Sequence, residues 1–260
     1  MRLIDSHAHV QAEAFDADRD QVIGAARGAG VERMLVPGWD LSSSRAALIA
    51  AAQFGLGAGA GIHPHVARES ERDFAAISDL ARDPLVVAIG ETGLDYDRGF
   101  SPRDDQLRNL RRHLRLAREQ AKPAILHCRS KPGERDAQDD LLRAIDEEGQ
   151  PPALLHSFSG PIDYAERALE FGLVISFSGL AFRKGEEATA AVARLTPADR
   201  LLVETDCPYL SPPGAPRRRN APEWVSVTAA WLAEQRGEEP DRLGEQLVAN
   251  YDRLFSHPPS

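Results

Sequence analysis

Eight short apolar runs that read as strands recur along this chain, and helical or turn sequence separates them. That alternation is what most limits its fold. The runs are LIDSHAHV (starting at Leu3), RMLVPG, LGAGAGIHPH, LVVAIGETG, AILHCRS, ALLHSFSG, LVISFSG and LLVETDCP. Helical stretches such as DADRDQVIGAARGAG lie between them. In SPRDDQLRNLRRHLRLAREQ, Ser101 reads as an N-cap and Pro102 as a first-turn residue. Leu107, Leu110, Leu114 and Ala117 in the same stretch recur at helical spacing and predict a core-facing stripe. Eight strand–helix units in 260 residues describe a (β/α)8 TIM barrel, read as one domain over residues 1–260. A Pro-rich loop, SPPGAPRRRNAP, follows the eighth run, and two further helical stretches are expected near 222–235 and 240–255.

In such a barrel the chemistry sits at the C-terminal ends of the strands. Six of the eight histidines fall at or just past a strand end: His7, His9, His63, His65, His127 and His156. His113 lies mid-helix and His257 in the tail. Glu91 and Asp206 also close apolar runs, where a carboxylate is costly to bury unless it is paired or holds a metal. Neutral imidazole and carboxylate are ligands for Zn²⁺, Mn²⁺ and similar ions. His7 and His9, two positions apart on the first strand, are expected on one face. Strands 8 and 1 are neighbours in a closed barrel, as are 4, 5 and 6. The spacing therefore predicts one ion on His7, His9, Asp206 and Glu91, and a second on Glu91, His127 and His156, with Glu91 bridging. Asp5 is expected either to orient an imidazole or to bond the rim.

Composition narrows the alternatives. Hydrophobic residues make up 42% and charged residues 27%, enough for a large core and against disorder. A net charge of −9 excludes a broad basic coat for nucleic acid, though not a small basic groove. Lys122, Lys131 and Lys184 are the only lysines among 31 basic residues. Two cysteines, Cys128 and Cys207, make no disulfide framework and suit a reducing compartment. Each directly follows a proposed ligand and reads as structural rather than as a thiolate donor. No stretch approaches the ~20 apolar residues of a membrane span. The chain is expected to be cytoplasmic, with a monomer favoured and no membrane partner.

DSHAHV, GIHPH, GETGLDY, LHCRS, LHSFSG, SFSG, ETDCPYLSP and RRNAP stand in the order found in TatD-type metal-dependent deoxyribonucleases, of the amidohydrolase-like barrel group, and the whole chain resembles that family. The resemblance implies a (β/α)8 barrel with two divalent ions (Zn, Mn or Mg). It also implies phosphodiester hydrolysis, as a 3′–5′ exonuclease on single-stranded or 3′-ended DNA. It implies the same ligands: His7, His9, Glu91, His127, His156 and Asp206. One departure is HCRSKPG, where Ser130 takes the place of an acid.

Asp206 is then the expected general base for the attacking water, with Glu91 beside it as the other catalytic carboxylate. His63 and His65 are expected to contact the phosphate or order the rim. Arg129 and Arg219, the latter in the 217–219 run, are candidate phosphate clamps. Tyr96 and Tyr209 either stack on a base or pack the rim. Barrel relatives that bridge two ions with a carbamylated lysine are disfavoured, because no lysine ends a strand. The family resemblance also raises D-aminoacyl-tRNA deacylation, or another ester or amide hydrolysis, on the same metals.

Overall fold

The computed structural model describes residues 1–255, so the His257 position lies outside the described residues. All eight expected strands are present: β1 Leu3–Asp5, β2 Val31–Pro37, β3 Gly57–Ala60, β4 Val86–Asp95, β5 Ala124–Arg129, β6 Ala153–Leu155, β7 Val174–Phe177 and β8 Leu201–Val203. They form one sheet in sequential order, β1 to β8. The pairing is parallel between β1 and β2, β3 and β4, β4 and β5, β5 and β6, and β7 and β8. Sequential parallel order requires a crossover after each strand. The helices supplying these are α1 Arg19–Gly28, α2 Leu41–Phe54, α3 Ser70–Leu80, α4 Arg103–Glu119, α5 Asp136–Glu147, α6 Ile162–Glu170 and α7 Thr189–Leu195. Two more, α8 Val225–Arg236 and α9 Pro240–Phe255, follow β8 as expected. The chain is a (β/α)8 barrel.

Its residues cluster into two compact units. The first holds 1–36, 156–170 and, of the described residues, 174–255. Within it β1 pairs with β2, and the Ser6 N–H donates to the Val203 carbonyl (3.0 Å), joining the first strand segment to the last. Ile4, Leu35, Phe177 and Leu202 are fully buried there. Each such side chain withdrawn from water contributes roughly 1.5–3 kcal/mol.

The second unit holds 37–155 and 171–173, with its own buried set including Ile89, Leu126 and Leu154. α2 begins with a reciprocal cap: Asp40 Oδ1 accepts from the Ser43 N–H (2.7 Å), and Ser43 Oγ accepts from the Asp40 N–H (2.9 Å). It ends at Gly55, whose φ of +65° suits a residue without Cβ. The predicted cap of α4 is different in the structure. Ser101 is not its N-cap; Pro102 precedes Arg103. The Ser101 hydroxyl instead donates to the His65 carbonyl (3.0 Å) and accepts from the Arg68 N–H (3.3 Å).

The strands also differ in extent from the apolar runs. β1 stops at Asp5, so His7 and His9 lie beyond it rather than on it, and β8 stops at Val203, three residues before Asp206. β4 runs ten residues, which puts Glu91 inside it, and its register with β5 shifts between Ile89 and Thr92. Buried, largely polar sequence continues past the regular ladder in the first two cases, where the backbone bonds to its neighbours irregularly.

Candidate metal centre

His7 and His9 are aimed by the backbone that carries them. The Ala8 N–H donates to the Leu35 carbonyl (3.0 Å) and the His9 N–H to the Cys207 carbonyl (2.9 Å). The Asp206 N–H donates back to the His7 carbonyl (2.8 Å). Asp206 itself sits at φ +53°, a left-handed conformation that an L side chain adopts only when its surroundings hold it there. The outcome is convergence without a regular strand. His7 Nε2 lies 3.2 Å from His9 Nε2, and Asp206 Oδ1 lies 3.7 and 3.4 Å from those two atoms. Ligands on a tetrahedral ion with bonds of ~2.05 Å stand roughly 3.3 Å apart. The three donor atoms thus already span one face of such a polyhedron.

His156 stacks on His7 with ring centroids 3.9 Å apart. Its Nδ1 faces Glu204 Oε1 at 3.2 Å. The carboxylate accepts the Nδ1 proton and leaves Nε2 as the lone-pair nitrogen. Glu204 is fully buried and also accepts from the Ser6 hydroxyl (3.4 Å), which bonds Ser176 (2.9 Å). Burial pushes the Asp206 carboxyl up, but the imidazoles of His9, His7 and His156 outweigh it and hold it below the usual carboxylate value.

Asp5 does not orient an imidazole. It accepts from the Thr205 N–H (3.0 Å), the Thr205 hydroxyl (2.6 Å) and the His7 N–H (3.3 Å), and so ties the backbones after β1 and β8. Burial pushes its carboxyl up to about 8, against the pull of those hydrogen bonds.

The second unit carries its own cluster. Glu91 Oε1 stands 3.1 Å from His63 Nε2 and 3.3 Å from His127 Nδ1. The Glu91 N–H is fixed on the Gly38 carbonyl (2.7 Å). His63 Nδ1 accepts from the His65 N–H (3.1 Å), so its proton is on Nε2 and is donated to Glu91. Both nitrogens are engaged, one with the His65 N–H and one with Glu91. Burial lowers its pKa to about 4, although Glu91 opposes that. Asp95 Oδ2 takes His65 Nε2 at 2.8 Å and His127 Nε2 at 3.2 Å, and Asp95 Oδ1 accepts from the Arg98 N–H (2.8 Å). Burial works against the Asp95 charge, but His127 and His65 win and hold its carboxyl well below the ordinary value. Gly93 pairs with His127 at φ +139°; a Cβ there would meet the His127 carbonyl oxygen at 1.9 Å. The glycine is what lets β4 lie against the His127 backbone.

Within the first unit, His7, His156 and Asp206 bring one donor atom each within 4.8 Å of one another; within the second, His63, His65 and His127 do the same. No cysteine joins a candidate group among the described residues. The Cys207 thiol is buried, and burial pushes it well above its ordinary value.

The model of the TatD related DNase family matches residues 4–256. The chain belongs to this family. It is 39% identical to the protein of Cronobacter sakazakii named 3′–5′ ssDNA/RNA exonuclease TatD, over 97% of both chains. It is 35% identical to YabD of Bacillus subtilis, named an uncharacterized metal-dependent hydrolase, over 97% of this chain and 98% of that one. The solved structure of the TatD homolog YJJV from Escherichia coli superposes with a TM-score of 0.84 at 28% identity, covering 99% of each chain. A TatD family hydrolase from Entamoeba histolytica shares the fold at a TM-score of 0.88 and 21% identity, over 98% of each. The chain is thus a hydrolase of a metal-dependent family.

In this TatD family member the expected substrate residues are already partnered. Arg129 Nε pairs with Asp97 (2.9 Å). Arg219 makes two contacts with Asp18 (2.8 and 2.7 Å) and donates to the Ala14 carbonyl (2.9 Å). His65 keeps about a third of its side chain exposed beside Asp95. Tyr96 is buried, donating to Asp140 (2.9 Å) under the Arg103 guanidinium, so it packs rather than stacks on substrate. Tyr209 is 61% exposed, its ring 6.3 Å from that of His9. Ser130, in the acid's place, accepts from the Ala137 N–H (2.9 Å) and bonds Gln138, so it closes the start of α5.

Sequence pattern does not single out Asp95 and Glu204, although both lie in motifs that carry the family resemblance, GETGLDY and ETDCPYLSP. The signal available is an acid within four residues of each chosen carboxylate.

Proposed function

We propose that this chain is a divalent-metal-dependent exonuclease that shortens single-stranded DNA from the 3′ end. The observation that carries the reading is the triangle of His7, His9 and Asp206 donor atoms at ligand–ligand spacing, in a chain 39% identical to a relative named a 3′–5′ ssDNA/RNA exonuclease. We assign His7, His9, Glu91, His127, His156 and Asp206 as ligands of two divalent ions, Zn, Mn or Mg. When bound, the ions supply positive charge against the phosphate oxygens and make water a stronger acid.

The rest is done by side chains. Asp206, kept ionised by its histidine neighbours, accepts the proton of the attacking water. Glu204 fixes the tautomer of His156, and His63 fixes Glu91. Asp95 fixes His65 and His127. His65, Arg129 and Arg219 face substrate phosphate in this reading, the two arginines exchanging their present carboxylate partners for it.

We place the enzyme in the cytoplasm as a monomer, in one domain over 1–260. The family match across 4–256 and two thiols outside any disulfide support this. No helix among the described residues is long and apolar enough to cross a membrane.

The test is a single-stranded oligonucleotide labelled at its 5′ end, incubated with Mg²⁺ or Mn²⁺. A ladder shortening from the 3′ end, abolished by a chelator, is expected. An intact strand under all metals, with D-aminoacyl-tRNA cleaved instead, would overturn the assignment.

A further inference from the structure

Phe100 and Tyr209 are 52% and 61% exposed. Each lies against a histidine of one of the clusters just described: Phe100 at 4.8 Å from the His65 ring and Tyr209 at 6.3 Å from the His9 ring. The ring planes meet at 82° and 70°, an edge-to-face arrangement rather than a stacked pair.

Both rings are presented on a fixed backbone. Before Phe100, the Gly99 N–H donates to the Asp95 carbonyl (3.3 Å) and the Arg98 N–H to the Asp95 carboxylate (2.8 Å). After it, the Ser101 hydroxyl is bound to the His65 carbonyl and the Ser101 carbonyl accepts from Gln106 Nε2 (2.8 Å). The Tyr209 N–H donates to the Asp206 carbonyl (2.9 Å), and the adjacent Pro208 carbonyl accepts from the Asn220 N–H (3.0 Å). Neither aromatic belongs to the buried core; in sequence Arg98, Gly99, Ser101 and Pro102 surround one, and Pro208 and Leu210 flank the other. A protein-docking face would need a larger connected patch.

Charge gives the reason for such rings. The chain carries −9, and Arg129 and Arg219, the two arginines assigned to substrate phosphate in the functional reading, are each paired with an aspartate. Grip on a polyanion by counterion release alone is therefore poor. Base stacking is insensitive to net charge, tolerates every base and is available only from unpaired strands. We propose that Phe100 and Tyr209 are base-stacking platforms, each receiving one base of a single-stranded substrate. The inference rests on the exonuclease reading and names how that site selects single strands.

The test compares the full-length wild type with Phe100→Ala, Phe100→Trp, Tyr209→Ala and Tyr209→Phe. kcat/KM is measured on a short single-stranded oligonucleotide and on bis-p-nitrophenyl phosphate, a diester without bases. The expected result is that each alanine variant lowers the oligonucleotide-to-diester ratio about ten-fold, mainly through KM, and the aromatic replacement restores it. A phosphorothioate strand ending in 2-aminopurine should lose its fluorescence quenching with at least one alanine variant. Unchanged ratios and unchanged quenching would overturn the platforms while leaving the exonuclease reading intact. A wild type that cuts neither substrate and quenches nothing would remove both.

Discussion

Glu204 is fully buried and spends one carboxylate oxygen on His156 Nδ1. Replacing it with glutamine keeps the volume and lets an amide N–H face the imidazole, which favours the wrong tautomer. Partners of this kind are worth 10–100-fold in metal affinity. Glu204→Gln is expected to weaken binding of the more loosely held ion by roughly ten-fold or more, read by isothermal titration of Mn²⁺ into metal-stripped protein. Equal affinities would show that the contact does not position the ligand. The six ligand candidates are legible in the sequence because each places a polar residue at the end of an apolar run, where burial demands a partner. Glu204 and Asp95 are not. They follow or precede another acid in the same motif, and what separates ligand from positioning group is which histidine nitrogen comes within 3.2 Å after folding. His63 shows the same limit: its engagement with Glu91 depends on the His65 N–H fixing its tautomer.

At the scale of elements, α4 is the instructive case. Leu110, Leu114 and Ala117 are fully buried, as their spacing predicts, while Leu107 is only half-buried. A second, polar line is buried beside them. Gln106 accepts from the Asp95 N–H (2.7 Å) and donates to the Asp95 carbonyl (3.1 Å). Asn109 donates to the Ile62 carbonyl (2.6 Å) and Thr92 Oγ1 (3.2 Å), and His113 Nε2 accepts from the Ile62 N–H (3.1 Å). These side chains satisfy backbone groups that the regular ladder leaves open near β4 and after β3. Periodicity alone does not reveal which polar residues of a helix do this.

His113 also makes a pH prediction. Burial holds its pKa at about 4, below the ordinary 6.5, because the neutral ring must accept at Nε2 while Nδ1–H donates to the Asn109 carbonyl (2.8 Å). The folded value lies below the unfolded one. Its contribution is therefore complete above about 6.5 and drains away as pH falls toward about 4. The loss is on the order of 3 kcal/mol. Urea unfolding at pH 7 and pH 4.5 should show a smaller drop in stability for His113→Gln than for the wild type. Parallel losses in the two proteins would place the acid sensitivity elsewhere.

For the whole molecule, strand count and alternation are enough to read the barrel, because sequential parallel strands admit few other closures. Strand lengths are not legible: buried sequence continues where backbone bonding turns irregular, as after Asp5 and Val203. The Lys122 ammonium donates to the Ala81 and Asp83 carbonyls (2.6 and 3.0 Å). In the proposed function, hydrolysis depends on divalent ions held by this donor set. The most direct measurement strips the protein of metal, titrates Mn²⁺ back, and follows ions bound per chain alongside cleavage of 3′-ended single-stranded DNA. No cleavage by the stripped protein is expected, with activity rising with occupancy to a maximum at two ions and no recovery in Glu91→Gln or Asp206→Asn. Full cleavage by metal-free protein, or recovery in both variants equal to wild type, would contradict it.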